Sequence, residues 1–305
     1  MMKPLLTLWL SLTLLPAQDQ VDLRLDWQTG KSYLQQITLD QVIGVPRHGE
    51  ATAHTELQMK LTAREAKGGA KSLQANFSAM KIAVDLPLPA TDERFDSHQP
   101  KEGNQEIATF YQSLKAAPLK MALDARGKIK EVQGLEKLNS GNAVLNRFFG
   151  QEQIKNFLQQ GGLVELPTGA VSRGDHWPYQ MAFPTPVGKL LIKGQYTLAG
   201  TREYEDKPHL VIQMQGQVQG DFTTAAAQET DPEVLRIQGM MLLMGVKVKE
   251  GSTSGTLLYD SVRRLLVSSE VTTTIRLSVA KYPENGQPTE IPIQQKMSLQ
   301  LRPAP

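Results

Sequence analysis

Apolar residues fall at every second position through most of this chain. In residues 51–63, Leu57, Met59 and Leu61 face one way while His54, Glu56, Gln58 and Lys60 face the other. Leu210, Ile212, Met214, Gly216, Val218, Gly220 and Phe222 alternate with polar positions, mainly glutamine. Leu265, Val267, Val271, Ile275, Leu277 and Val279 share one side of a long segment, and Ile291, Ile293, Met297, Leu299 and Leu301 return along it. A period of two with one apolar face is the mark of a half-buried antiparallel strand. In residues 73–84 the apolar phase runs Leu73, Ala75, Phe77, Ala79 and then slips to Met80, Ile82, Val84, which predicts a bulge within a strand packed along its whole length.

The stretch 164–200 organises the rest. It leaves a helical region, crosses a loop rich in Pro and Gly, and enters two strands. Trp177, Tyr179 and Met181 lie on the inner side of the first, and Leu190, Ile192, Tyr196 and Leu198 on that of the second. At the other end, Val21, Leu23, Leu25 and Trp27 alternate before a turn at Thr29-Gly30-Lys31-Ser32 that leads into a strand over residues 33–42. Residues 85–106 read as a loop holding a short edge segment around Arg94 to Ser97. Ile107, Phe110, Tyr111 and Leu114 have the spacing of an amphipathic helix, and residues 119–132 read as a hairpin. Residues 135–160 are the main helical region. Asn142 caps a segment carrying Phe148 and Phe149, and a second segment carries Ile154, Phe157 and Leu158.

These elements predict a mainly β (α+β) protein. Its large antiparallel sheet is expected to curve into a sandwich or open barrel, with a few helices between two halves. The expected division is a signal peptide at 1–17, an N-terminal β half at 18–134, a helical connector at 135–163 and a C-terminal β half at 164–305. Trp27 with Gly30, Tyr33 and Phe95-Asp96-Ser97 parallels Trp177 with Gly194, Tyr196 and Tyr259-Asp260-Ser261, which suggests a duplicated unit.

The first residues bear on location. Met1-Met2-Lys3 precedes an apolar run over residues 5–15 and a small residue at Ala17, the layout of a secretory signal peptide cleaved after Ala17. No cysteine follows to be acylated, so the expected product is periplasmic or secreted, with no transmembrane segment after cleavage. The 305 residues contain no cysteine at all, and a chain of that length can bury a full core without disulfides. Its formal net charge is +2, with no extended basic run, which argues against nucleic acid as a partner.

The search for chemistry finds no constellation. His48, His54, His98, His176 and His209 are read as scattered residues without metal-ligand spacing, and no metal or cofactor is expected. Gly251-Ser252-Thr253-Ser254-Gly255 comes nearest to a nucleophile elbow, but it has one residue too many and is read as a loop. Acidic groups such as Asp92-Glu93 and Glu203, Glu205 and Asp206 lie in polar, turn-like stretches where solvated carboxylates are usual.

Two segments carry a resemblance: LP-x-x-x-V-x-x-GD-x-W from Leu166 to Trp177, and Tyr259-Asp260-Ser261. With the signal peptide they make the chain similar to an exported, planctomycete-type bacterial family defined only as a domain of unknown function. The resemblance implies no catalytic residues. The curved sheet is also loosely similar to periplasmic lipoprotein-carrier proteins, an analogy of fold.

The expected function follows from covering surfaces. About ten strands present more apolar side chains than the short helices can cover. A packed face fits a non-enzymatic envelope interaction or scaffold module with an envelope protein as partner. An open concave face fits the alternative, a periplasmic carrier of lipid or another hydrophobic ligand, lined by Phe148, Phe149, Phe157, Trp177, Tyr179 and Met214.

Overall fold

The computed structural model describes residues 20–45, 49–65, 71–87, 90–116, 118–124, 129–135, 164, 166–185, 188–221, 247–281 and 289–303. The expected signal peptide, nearly all of the helical connector with Phe148, Phe149 and Phe157, and residues 222–246 lie outside them.

The alternation does produce strands. In chain order they are β1 (Val21–Asp22), β2 (Ser32–Val45), β3 (Gly49–Glu65), β4 (Lys71–Pro87), β5 (Ala90–Asp96), then after helix α1 (Gln105–Ala116) β6 (Leu119–Leu123) and β7 (Ile129–Gln133). The second half supplies β8 (Ala170–Val171), β9 (His176–Thr185), β10 (Gly188–Tyr204), β11 (Lys207–Asp221), β12 (Lys247–Asp260), β13 (Leu265–Lys281) and β14 (Thr289–Pro303). Twelve of these strands form one antiparallel sheet in the order β7-β6-β4-β3-β2-β14-β13-β12-β11-β10-β9, with β5 beside the far part of β4. The sheet is curved and does not close into a barrel. Strands of both halves are continuous, because the last strand, β14, lies against β2 from Pro303 opposite Gln35 to Gln294 opposite Gly44.

Each cross-strand row keeps its side chains on one face. One row runs Trp177, Tyr196, Met214, Gly255, Val271, Leu299, Leu39 across the sheet. These inner positions are largely buried, whereas Lys60, Gln213, Gln215 and Gln217 face solvent. The bulge appears where the phase slips. Gln58 pairs with Ala79 and Met59 with Phe77, so Ser78 is the extra residue, and Ala79 and Met80 are both buried. The Ser78 carbonyl accepts the hydroxyl of Tyr111, 2.8 Å away, which ties α1 to the strand. Asn104 caps that helix by accepting the N–H groups of Glu106 and Ile107 at 2.9 and 3.1 Å. No helix among the described residues is long and apolar enough to cross a membrane.

Three expectations are corrected. The loop at residues 85–106 contains a full strand, β5, which pairs with β4 from Pro87 opposite Ala90 to Lys81 opposite Asp96. The segment Gly251 to Gly255 is not a loop but the interior of β12, with Gly251, Thr253 and Gly255 opposite Ile275, Thr273 and Val271. Its small polar residues look like a turn in isolation, but two flanking strands supply partners on both sides and override that preference. The stretch after Val21 forms no hairpin with β2. Val21 pairs with Val171 of β8, and the chain then runs on as a strap with Leu23, Leu25 and Trp27 buried.

That strap joins distant parts of the sheet. The Tyr259 hydroxyl donates to the Arg24 carbonyl at 2.6 Å and accepts the Arg24 N–H at 3.1 Å. The Asp26 N–H donates to the Arg264 carbonyl at 2.8 Å, and the Asp26 carboxylate holds the ammonium of Lys71 on β4. A short segment can reach both β4 and the β12–β13 turn only because the sheet curls between them.

Candidate ligand-binding cleft

Strand β14 stops before its neighbours do. Its ladder with β13 ends at Leu301 opposite Ser269, and its ladder with β2 ends at Pro303 opposite Gln35. Leu265 to Ser268 of β13 and Ser32 to Leu34 of β2 therefore extend past the last β14 pair on either side. Between them lies a cleft of about 520 Å³, lined on one side by Trp27, Gln28, Lys31 and residues 32–35, on the other by Arg263 and residues 265–267, with Pro303 at the end of β14. The walls are mainly apolar, and Leu34 is half exposed there. The volume lies within the roughly 300–1,000 Å³ of small-molecule sites.

The walls are held by their own local chemistry. Trp27 and Tyr33 pack edge to face with ring centroids 5.0 Å apart, and the Tyr33 hydroxyl accepts the Gln28 N–H at 3.1 Å. On the far side, Asp260 Oδ1 accepts the N–H groups of Val262 and Arg263 at 2.9 and 2.8 Å, which shapes the turn into β13. One buried polar group belongs to this site: the indole N–H of Trp27 has no hydrogen-bond partner among the described residues. Lys31 and Arg263 stand on the rim, and no acidic residue lines the cleft among the described residues. Arg263 Nε is 3.5 Å from Asp260 Oδ2 but its side chain stays 62% exposed.

Trp177, Tyr179 and Met214 sit elsewhere. They are buried on the inner face of β9 and β11, and none of them lines this cleft. Tyr179 packs on Tyr196 at 4.7 Å between centroids, and Trp177 packs on the same ring at 5.7 Å. The Tyr179 ring crosses the facing pair Gly194 and Gly216, so closely that a Cβ at Gly194 would lie 2.7 Å from its Cε1 and a Cβ at Gly216 would strike its hydroxyl. Glycine there is a space requirement. The Tyr179 hydroxyl has no partner among the described residues, and burial raises its pKa. Beside this group Thr253 and Thr273 share a buried hydrogen bond of 3.0 Å.

Other titratable groups have structural partners. His209 Nδ1 lies 2.9 Å from the Lys207 carbonyl, and its Nε2 is 4.0 Å from Asp260 Oδ2, both residues being buried. His54, read as unpartnered, lies on the solvent face between Asp40 and Glu56. Spacing could have found Glu56, two residues on along the same strand face. No group of three His, Asp or Glu residues among the described ones is placed to hold a metal.

Several solved structures are similar to this chain at low identity. One described as "Lipid-protein interactions in lipovitellin" superposes with a TM-score of 0.51 at 13% identity, covering 92% of this chain and 26% of that one. This chain thus spans about a quarter of the lipovitellin chain. DynF from the dynemicin biosynthesis pathway of Micromonospora chersina matches at 9% identity over 93% of this chain and 85% of that one, with a TM-score of 0.23. The LolA superfamily protein NE2245 from Nitrosomonas europaea matches at 9% identity over 90% and 87%, with a TM-score of 0.14. No curated protein matches the sequence. Residues 68–262, a span that holds most of the sheet and both segments singled out in the sequence, match a family of unknown function, and the chain belongs to that family, DUF6263.

Proposed function

We propose that this protein is a non-enzymatic binder of an apolar or amphiphilic small molecule, and that it acts outside the cytoplasm, in the periplasm or beyond. The observation that carries this reading is the cleft where β14 stops short, with apolar walls and about 520 Å³ of space. Apolar clefts with a few polar groups are the usual form of small-molecule sites. The likeness in fold to a lipovitellin structure described by its lipid–protein interactions supports the same class of ligand. Export rests on the basic start, apolar run and Ala17 of the first residues. The competing reading, an envelope interaction or scaffold module, needs no cleft of this kind.

The test is to purify the mature protein and extract it with organic solvent for mass spectrometry, beside a Leu34→Arg variant that places a charge in the cleft wall. The expected result is a co-purified apolar or amphiphilic molecule, or stoichiometric uptake of added palmitate or hexadecanol, that the variant fails to hold. No uptake of either compound would leave the scaffold reading standing alone.

A further inference from the structure

We infer that the cleft takes a single-chain amphiphile with an anionic head, the head held at the Lys31 and Arg263 rim and the chain lying against Trp27, Tyr33, Leu265 and Leu266. The inference rests on the proposed binding function and names its ligand class. Three independent features point to it. First, the charge is one-sided: two cations and no acids among the described lining residues. Arg263 has Asp260 nearby, but Lys31 has no ion-pair partner among the described residues. An anion at this rim gains charge-assisted hydrogen bonds, while a cationic head meets only repulsion.

Second, the site contains a polar group with nothing to bond. The buried Trp27 indole N–H costs free energy while unpaired, on the order of 1–3 kcal/mol. A ligand oxygen that accepts from it removes that cost, and a plain hydrocarbon cannot. Third, the geometry suits one chain. The cleft lies at the Pro303 end of β14, bounded by β2 on one side and β13 on the other. A lane one strand wide, with about 520 Å³ of space, accommodates one alkyl chain in extended form and not a diacyl pair.

The shared chemistry is an anionic head on one long alkyl chain, with either a carboxylate or a phosphate as the anion. Calorimetric titration of the delipidated protein with hexadecanoate, hexadecyl phosphate and hexadecanol tests it, using the native chain, Lys31→Gln/Arg263→Gln and Leu34→Arg. The expected result is one anionic ligand per chain, bound about tenfold or more tighter than the alcohol, a difference of about 1.4 kcal/mol. The Lys31→Gln/Arg263→Gln pair should abolish that preference by lowering the affinity for both anions to that for hexadecanol, and Leu34→Arg should weaken all three ligands. The stronger of the two anions identifies the head. Equal affinity for alcohol and anions, or a preference indifferent to the two cations, would overturn the anionic assignment and leave the binding function intact. Binding that ignores Leu34→Arg would place the ligand elsewhere and overturn the cleft. Failure of all three ligands to bind would overturn the binding function along with the inference.

Discussion

His54 shows how one exposed residue is governed by register. Its Nδ1 lies 2.6 Å from Asp40 on β2 and its Nε2 2.9 Å from Glu56 on its own strand. The hydrogen bond to Asp40, then the one to Glu56, raises its pKa above the ordinary 6.5, against a smaller opposing effect of burial. A raised folded-state pKa means stability that is fully present below the ordinary value and is lost as pH rises through the folded value. Urea midpoints should therefore fall as the pH rises above 6.5 by more in the native protein than in His54→Gln. Parallel curves for the two proteins would show that the cluster adds nothing. Glu56 was legible from its spacing of two, since alternate residues on a strand share a face. Asp40 was not, because it meets His54 only through the pairing of β2 with β3.

At the scale of the element, the strap at residues 21–27 is held through its backbone as well as through its buried side chains. The Tyr259 hydroxyl serves both the N–H and the carbonyl of Arg24, and Asp260 shapes the following turn, so two residues of the Tyr-Asp-Ser segment have structural duties. Tyr259→Phe should cost about 1–3 kcal/mol of stability, since it leaves two strap groups unpaired at a buried contact. Hydrogen exchange should also quicken at residues 21–27 well before it changes in β10 and β11. Unchanged exchange in the strap would mean that its side chains alone hold it. The alternation of Leu23, Leu25 and Trp27 was plain in the sequence, yet it did not reveal a strap. A buried extended segment has the same pattern whether its partner is a neighbouring strand or the end of a curled sheet.

For the whole molecule, an open sheet leaves edges that must be guarded. On the β9 edge, Pro178 and Pro184 lie opposite Gln195 and Lys189, an even number of positions apart. Their missing N–H groups therefore fall on the same side of the strand, the side away from β10, where a second chain would need donors. Replacing both with valine should produce self-association that grows with concentration in sedimentation experiments. Identical sedimentation of variant and native protein would show that the prolines do not guard this edge.

The one-residue slip between Ala79 and Met80 dictated the bulge at Ser78, just as the period of two dictated the long strands and their inner faces. Both are local properties, because the direction of a side chain on a strand is set by its own position along the chain. The placement of β14 against β2, and with it the cleft between β2 and β13, was decided by the tertiary structure. Those features depend on contacts between residues more than 200 positions apart, such as Pro303 with Gln35. Alternating sequence makes strands able to pair, but which strands pair is a competition among all of them that no local pattern records.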